Sequence, residues 1–301
     1  MAKTGELSYT DKVKQKLVNI YPSENHCAFC ELAGMTMYAS IFSPELILIS
    51  SNLPEVIDKF IGLFVRCTEF KHIPFETINE NSKYTLQIDG DTANYLFNIC
   101  LKNGHLNNDI FKCDKCKMSF VRGAFLCAGH VNPPEKNYDI EFKTSNVDVS
   151  CDFYLMLSSF LSSTKMTFRN GMQIVYNKCG DNVYFLLNDM GDTVHSFEIV
   201  NSQLVKSIRN EQNRQTNFEV SNIQKQKSSA QIHITAIKYL KKNNHLVDLS
   251  KQLQETAKLR MKYRDYSISQ LAAAETPPVS KSQESKRLSA IVNYYNELTK
   301  K

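Results

Sequence analysis

The feature that most constrains the fold of this chain is an internal repeat with an offset of about ninety residues. The segment at 32–40 (LAGMTMYAS) has a counterpart at 121–129 (VRGAFLCAG), which lies 89 residues later. Further along, a Gly-Asp pair at 90–91 opens an apolar run, and a second Gly-Asp pair at 180–181 does the same. A shared offset at both ends of a unit indicates a duplicated unit that folds into two pseudo-symmetric halves.

The spacing of apolar residues predicts the same order of elements in both copies, which extend over about 27–104 and 116–191. Copy one is predicted to contain a helix at 27–41, a strand at 46–49, a helix at 54–67, a strand pair around 73–77 and 84–88, and a helix at 91–102. Copy two is predicted to contain a helix at 117–130, a strand at 138–142, a helix at 147–162, strands at 165–169 and 173–176, and a helix at 181–190. Each copy is therefore αβαββα. We expect the strands of both copies to form one curved sheet with helices on one side, which is an α+β fold.

The composition changes after the duplicated domain, which we place at 1–204. Residues 205–230 are polar with few apolar anchors, which is typical of a linker or of a lightly packed helical connector. Residues 231–301 carry apolar residues at helical spacing and are predicted to form an all-helical domain.

Capping and chain-breaking residues predict a helix-turn-helix motif at about 267–298. Ser267 is placed to cap a short helix, the run Thr276-Pro277-Pro278-Val279 breaks the chain, and Ser280 is placed to cap a longer helix. A short helix, a tight break and a longer helix is the plan of this motif.

Charge is distributed unevenly along the chain. Residues 205–301 hold 18 Lys and Arg against 8 Asp and Glu, a balance of +10, whereas residues 1–204 hold 18 against 23, a balance of −5. A basic C-terminal third on an acidic body favours a module that binds a polyanion, although a solvated basic surface would have the same composition.

The sequence predicts a cytoplasmic protein without a membrane span. Residues 1–17 carry charges throughout and lack an apolar segment, which disfavours a signal peptide. The most apolar stretch, 147–161, is interrupted by Asp148 and Asp152 and is too short to cross a bilayer. Nine cysteines, an odd number, without a secretion signal favour a reducing compartment and mostly buried thiols.

Small residues in the first helix of each copy predict that these two helices pack closely. Ala33 and Gly34 in one helix, and Gly123 and Ala124 in the other, leave room for the backbones to approach. The pattern resembles the paired LAGLIDADG helices of homing endonucleases, and the overall match is closer still to the WhiA family. This resemblance implies that in the endonucleases an Asp or Glu at the eighth position of each motif holds the divalent metal used to cleave DNA.

The positions of those two acids are occupied by Ala39 and Ala128 in this chain. A methyl group cannot ligate Mg²⁺, which requires carboxylate oxygens. Glu31 lies at the opposite end of the first helix. We therefore expect the endonuclease scaffold without its metal-dependent chemistry, and thus no enzyme.

The WhiA resemblance covers nearly the whole chain and rests on four segments. These are 8–14 (SYTDKVK), 120–136 (FVRGAFLCAGHVNPPEK), Arg209-Asn210 with Asn213-Arg214, and 279–282 (VSKS) with Arg287-Leu288. It implies a degenerate LAGLIDADG domain followed by a helix-turn-helix, in a DNA-binding regulator associated with cell division, chromosome segregation and, in spore formers, sporulation. The chain has Gln283-Glu284-Ser285-Lys286 where the family usually continues with Gly, an apolar residue, Asn and His. If Glu284 were exposed there, it would face phosphates unfavourably.

The second helix of a helix-turn-helix contacts base edges through its N-terminal residues and phosphates through its hydroxyl and N–H groups. Lys286 or Arg287 is suited to read guanine, and Ser280 and Ser282 to bind the DNA backbone. The residues predicted to contact double-stranded DNA are Ser280, Lys281, Ser282, Ser285, Lys286 and Arg287. Lys225 and Lys227, in the connector, are weaker candidates for DNA contact, because connector lysines are usually solvated.

Two CxxC pairs, Cys27/Cys30 and Cys113/Cys116, leave two interpretations open. Cys27 and Cys116 are equivalent under the repeat, so four thiolates could converge on a zinc ion where the paired helices begin. The two pairs are far apart in sequence and extend in opposite directions from the equivalent cysteine. The sequence therefore favours reduced core or cap thiols without a metal, and no cofactor is predicted.

Three other functions are compatible with this scaffold. The first is an endonuclease that uses acids outside the paired helices, and the second is an RNA-binding maturase. The third is a protein-interaction adaptor. In the DNA-binding interpretation, too, other transcription or cell-division proteins are expected to dock on the acidic N-terminal domain. Signatures of other enzymes, such as a phosphate-binding Gly-Lys loop, GxGxxG and HExxH, are absent from the sequence.

Overall fold

The computed structural model describes residues 7–70, 76–80 and 83–299, with the backbone alone at 76–80. The chain divides into two compact units, Met1–Lys206 and Ser207–Lys301. We call these the first unit and the second unit.

The first unit begins with α1 (Tyr9–Leu17), which Ser8 caps by accepting a hydrogen bond from the backbone N–H of Asp11 (3.1 Å). The first copy of the repeat comprises α2 (Asn25–Met37), β1 (Ile41–Phe42), β2 (Leu46–Ser51), α3 (Pro54–Cys67), β3 (Glu76–Glu80), β4 (Lys83–Asp89) and α4 (Gly90–Cys100). A short hairpin, β5 (Leu101–Lys102) and β6 (His105–Leu106), and a 3₁₀ turn at Asn108–Ile110 follow. The second copy comprises α5 (Asp114–Ala128), β7 (Gly129–Val131), β8 (Ile140–Thr144), α6 (Val147–Ser158), β9 (Lys165–Arg169), β10 (Met172–Asn177) and α7 (Gly180–Met190).

Both copies therefore have the order αββαββα, with one more strand than the sequence predicts. The additional strands, β1 and β7, are two and three residues long. That length is too short for the alternation of apolar and polar residues that identifies a strand in a sequence. The strand predicted around 73–77 lies mostly outside the described residues, and β3 is described from Glu76.

The strands form two four-stranded antiparallel sheets, in the orders β1-β2-β4-β3 and β7-β8-β10-β9. The expectation of one curved sheet is wrong. Each copy completes its own sheet through antiparallel pairings, and β1 and β7 pair only with β2 and β8 respectively among the described strands. The positions of the strands agree with the duplication, because β9 spans 165–169, which is 89 residues after β3 at 76–80.

The paired helices α2 and α5 lie at the centre of the first unit, as the small residues predict. A Cβ built on Gly34 would lie 2.1 Å from the backbone oxygen of Phe120, and a Cβ built on Gly123 would lie 2.1 Å from that of Glu31. These two close approaches are equivalent under the 89-residue offset. The pseudo-symmetry of the sequence is thus present in the backbone contacts.

The second unit is helical. A single helix, α8 (Thr193–Lys242), runs across the boundary between the units, and it is followed by a 3₁₀ turn at His245–Asp248. Three further helices are α9 (Lys251–Lys262), α10 (Ile268–Ala274) and α11 (Lys281–Thr299). Residues 205–230 lie within α8, so the connector is helical rather than an irregular linker. Ile237, Leu240, Ala257 and Ile291 form the centre of this unit's core.

Among the described residues, no helix combines the length and the apolar composition that a membrane crossing requires.

Candidate nucleic-acid interface

The helix-turn-helix motif consists of α10, a six-residue turn and α11, and both helices are capped where the sequence predicts. Ser267 and Gln270 form a capping box at the start of α10, with hydrogen bonds of 2.8 and 3.2 Å. The hydroxyl of Ser280 accepts a hydrogen bond from the backbone N–H of Gln283 (3.2 Å) at the start of α11. These caps bind N–H groups that have no partner inside the helix, and they set where each helix begins.

The turn is held against α10 by its own backbone. The N–H of Val279 donates to the carbonyl of Ala272 (3.0 Å), in the last turn of α10. Leu271 and Ala272 are buried, and so are Leu288 and Ile291 of α11. The buried side chains thus fix the inner face of both helices, and the opposite face of α11 remains exposed.

That exposed face carries most of the predicted DNA-contacting residues. Ser280, Lys281, Ser282 and Lys286 are exposed, and Ser285 is half-buried. These residues lie on the first turn and a half of a 19-residue helix, where the backbone N–H groups and the helix dipole favour an anion. The structure thus groups a hydroxyl- and lysine-rich surface at the N-terminal end of α11.

Sequence reasoning missed two residues that continue this surface. Ser289 and Asn293 are also exposed; Ser289 follows Lys286 by three residues, and Asn293 follows Ser289 by four. This spacing places them on one face of the helix. The helical period counted forward from Lys286 would have found both.

Arg287 differs from the other predicted contacts because its side chain is only 14% exposed. Its guanidinium lies 3.5 Å from the carboxylate of Glu275 in the turn. The same carboxylate accepts a hydrogen bond from the hydroxyl of Thr256 in α9 (2.9 Å). Arg287 therefore links α11 to the turn and to α9, and a base-reading role for it stays a prediction that competes with this ion pair.

Glu284 is fully buried, so it does not place a carboxylate on the DNA-facing surface. Burial raises the pKa of this carboxyl, and the charge of Glu275 raises it further, whereas Arg287 and Arg260 lower it. Arg260 is itself buried and donates to the backbone oxygen of Tyr266 (2.6 Å). The unfavourable contact with phosphates that an exposed Glu284 would make does not arise.

Ala39 and Ala128, the residues at the expected positions of the metal-binding acids, lie at the C-terminal ends of α2 and α5. Ala128 is the last residue of α5, and Ala39 lies two residues beyond the end of α2. These are the positions at which the resemblance in the sequence predicts the acids of a LAGLIDADG endonuclease. Neither side chain offers an oxygen to a metal ion.

Glu31 lies in the middle of α2, not at its opposite end as the sequence predicts, and is part of a buried ion triad. Its carboxylate accepts two hydrogen bonds from Arg122 of α5 (2.9 and 2.7 Å), and the ammonium group of Lys59 of α3 lies 2.8 Å from it. Arg122 also donates to the carbonyl of Met190, and Lys59 to that of Leu17. The carboxylate of Glu31 thus holds α1, α2, α3, α5 and α7 together through Arg122 and Lys59.

Comparison with known proteins agrees with this architecture. The model of the WhiA LAGLIDADG-like domain matches residues 117–209, and the model of the WhiA C-terminal HTH domain matches residues 212–295. The chain belongs to the WhiA family. A relative from Thermoanaerobacter pseudethanolicus, named "Probable cell division protein WhiA", is 29% identical over 98% of both chains.

Two other matches show how far the similarity extends. A protein of the same name from Clostridium botulinum strain Hall is 34% identical over 64% of this chain, and the match spans 62% of that relative's length. The crystal structure of full-length WhiA from Thermotoga maritima superposes with a TM-score of 0.57 at 19% identity, over 97% of this chain and 99% of that one. The fold of this WhiA-family chain is therefore shared over both units.

A groove in the second unit of this WhiA-family chain lies beside the α11 surface. Ser221, Gln224 and Lys225 of α8 and Ser289 and Asn293 of α11 line it. Lys225 was expected to be a solvated connector residue, and it is exposed. Its position in this groove places a cation next to the helix face described above.

His233 of α8 is another residue of this groove and is 8% exposed. Burial lowers its pKa to about 4, and the charge of Arg260 contributes in the same direction. The imidazole is therefore neutral at physiological pH. The folded second unit therefore buries His233 in its neutral form.

The cysteines of the two CxxC pairs are separated by the fold into two groups. Cys27, Cys113 and Cys116 meet where α2 and α5 begin, and His26 joins them. The thiol of Cys30 instead donates to the backbone oxygen of Ile110 (3.3 Å) and is buried beside Cys116, outside the group of four ligand atoms. The predicted convergence of four thiolates is therefore replaced by three thiols and one imidazole.

Proposed function

We propose that this WhiA-family chain binds double-stranded DNA through α11 and regulates transcription without cutting the DNA. The observation that carries the proposal is the exposed N-terminal surface of α11, with Lys281, Ser282 and Lys286 on one side and the core residues Leu288 and Ile291 on the other. This is the arrangement with which a recognition helix enters the major groove.

The chemistry of the surface supports phosphate and base contacts together. Two lysines supply charge that attracts the DNA backbone, and hydroxyl groups at the helix start are suited to bind phosphate oxygens. Lys286 is the exposed cation best placed to read guanine, because Arg287 is held by Glu275. We assign Ser289 and Asn293 to the same contact surface.

We propose that the LAGLIDADG-like unit acts as a scaffold that does not cleave DNA. Ala39 and Ala128 lie where the metal-binding acids would be needed, and Glu31 is bound by Arg122 and Lys59. A divalent ion requires oxygen ligands at the scissile phosphate. The acidic balance of this unit favours docking of other proteins over a second strong DNA contact.

The cellular role we propose follows the relatives, which are named for cell division. We propose that the chain acts on the nucleoid in the cytoplasm, in control of cell division and chromosome segregation and, in a spore former, of sporulation. The partners would be duplex DNA and the transcription or division proteins that bind the first unit.

The test is a set of binding and cleavage assays on the full chain. Fluorescence anisotropy with a labelled duplex, in competition with unlabelled duplex DNA or structured RNA, is expected to show preference for the duplex and a strong salt dependence. Preference for structured RNA would instead indicate a maturase-like protein. Absence of salt-dependent binding to either would indicate an adaptor.

Incubation with supercoiled plasmid and Mg²⁺ or Mn²⁺ is expected to leave the plasmid intact. Linear or nicked products that disappear in a variant of an acidic residue would contradict the scaffold role and support a residual endonuclease.

A further inference from the structure

The cluster of His26, Cys27, Cys113 and Cys116 has the geometry of a metal site. The three sulfur–sulfur distances are 3.6 Å (Cys27–Cys113), 3.8 Å (Cys27–Cys116) and 3.7 Å (Cys113–Cys116). The distances from Nδ1 of His26 to the sulfurs of Cys27, Cys113 and Cys116 are 3.4, 3.9 and 3.2 Å. Six such similar distances among four atoms are the edges of a nearly regular tetrahedron.

The size of this tetrahedron can be compared with that of a zinc site. With zinc–sulfur bonds of about 2.3 Å and a zinc–nitrogen bond of about 2.0 Å, tetrahedral angles give sulfur–sulfur edges of about 3.8 Å and sulfur–nitrogen edges of about 3.5 Å. The observed edges scatter around these two values. An ion at the centre would therefore reach all four ligand atoms with little movement of the side chains.

We propose that His26, Cys27, Cys113 and Cys116 form a Cys₃His structural zinc site. Three thiolates and one imidazole select a soft or borderline divalent ion over Mg²⁺ or Ca²⁺, which prefer oxygen ligands. All four positions of the tetrahedron are filled by the protein, so the site is closed in the way that structural zinc sites are. No position remains for a substrate or an activated water.

The distances exclude a disulfide as the reason for the cluster. A disulfide requires a sulfur–sulfur distance of about 2.0 Å, and the cysteines of the cluster are all free thiols. Ordinary core packing does not explain the arrangement either, because Cys113 is exposed and His26 is half-buried. The neighbouring Cys30 is an ordinary core cysteine by comparison: it is buried, and its thiol donates a hydrogen bond to a backbone oxygen outside the cluster.

The position of the site gives it a structural role. His26 and Cys27 belong to the first turn of α2, while Cys113 precedes α5 and Cys116 lies in its first turn. One ion would therefore join the starts of the two paired helices, one from each copy of the repeat. The site would clamp the two halves at the end opposite to Ala39 and Ala128.

The first experiment measures metal content and coordination in the full chain. Protein purified under reducing conditions, without added chelator, is expected to hold about one zinc per chain by mass spectrometry of elements. Replacement of zinc by Co²⁺ is expected to give the intense visible absorption of a tetrahedral ion and a sulfur-to-cobalt charge-transfer band. Wild-type protein that holds no zinc and gives an octahedral cobalt spectrum would overturn the proposal.

The second experiment uses matched variants. Cys113→Ser changes an exposed ligand, and Cys30→Ala changes a buried cysteine three residues from Cys27 that is not a ligand. Cys113→Ser is expected to lose at least about tenfold in zinc affinity, and Cys30→Ala is expected to bind like the wild type. Equal loss in both variants would show that folding, and not coordination, controls the metal content, and would refute the assignment.

A chelator provides a readout that does not depend on either variant. Removal of zinc is expected to lower the melting temperature of the wild type by more than that of Cys113→Ser. A chelator that leaves the wild type unchanged would count against a structural role for the ion.

Discussion

The strongest prediction about the fold concerns the glycines at which α2 and α5 touch. In Gly34→Ala the new methyl group would lie 2.1 Å from the backbone oxygen of Phe120, and in Gly123→Ala it would lie 2.1 Å from that of Glu31. An ordinary contact to a Cβ is 3.4–4 Å, so the two helices would have to separate by more than an ångström. The obstacle is backbone, which cannot rotate away as a side chain can.

The magnitude follows from two opposing effects. An alanine in place of glycine inside a helix stabilises it by about 1 kcal/mol. Overpacking of a well-packed interior costs about 1–3 kcal/mol and occasionally more, and the upper end or more applies here because the obstacle is backbone at the central interface of the first unit. We expect each substitution to lower the free energy of unfolding by at least about 2 kcal/mol, out of a total of about 5–15 kcal/mol for a typical domain.

Gly62→Ala is the matched control. Gly62 lies within α3, it is exposed, and a Cβ there would meet no atom within 4 Å. Only the helix propensity changes at this position, so this variant is expected to be more stable by about 0.5–1 kcal/mol. The same chemical change is therefore predicted to have opposite signs at Gly62 and at Gly34.

Hydrogen exchange monitored by mass spectrometry is the suitable assay. The chain has no tryptophan and two compact units, so a single spectroscopic transition would not report on α2 and α5 alone. Peptides from these two helices are expected to lose protection in Gly34→Ala and Gly123→Ala. If either variant is as protected as Gly62→Ala, the close backbone contact described here is incorrect.

Two further predictions concern buried charge. Glu31→Gln leaves Arg122 and Lys59 buried without their carboxylate, so it is expected to destabilise the first unit by about 3–5 kcal/mol in urea denaturation, and an unchanged midpoint would contradict the triad. Folding lowers the pKa of His233 from 6.5 to about 4, so the unfolded chain binds a proton more readily than the folded one. The free energy of unfolding is therefore unaffected by this group above pH 6.5, and it decreases by up to about 3 kcal/mol as the pH falls toward 4. His233→Gln is expected to flatten this part of the stability profile, whereas His245→Gln, at a half-buried position, should not, and equal profiles for all three proteins would refute it.

Much of the architecture could be predicted from the sequence because it depends on local signals. The repeat offset predicts the pairing of Gly34 with Gly123, and hydroxyl caps predict where α10 and α11 begin. The resemblance to the WhiA family, drawn from the 120–136 run above all, is confirmed. The short strands β1 and β7 were not predicted because two or three residues are too few to show an alternation of apolar and polar side chains. The division into two sheets was not predicted either.

The polar residues of the site were harder to predict because their environment depends on tertiary packing. Glu284, Leu288 and Ile291 share the spacing i, i+4, i+7, which would have placed Glu284 on the buried face of α11. No local pattern identifies Glu275 as the partner of Arg287. His26 is adjacent to Cys27, but only the packing of α2 against α5 brings its imidazole to Cys113 and Cys116.

The central claim is that this WhiA-family chain holds duplex DNA with the N-terminal surface of α11. The measurement that tests it most directly is the salt dependence of duplex binding in Lys281→Ala/Lys286→Ala, compared with Lys251→Ala/Lys258→Ala, which removes the same charge from exposed positions of α9. Loss of two phosphate contacts is expected to weaken binding and to reduce the slope of log K against log salt by about two in the α11 variant alone. A slope that stays at the wild-type value in the α11 variant, or that falls equally in both, would contradict the account.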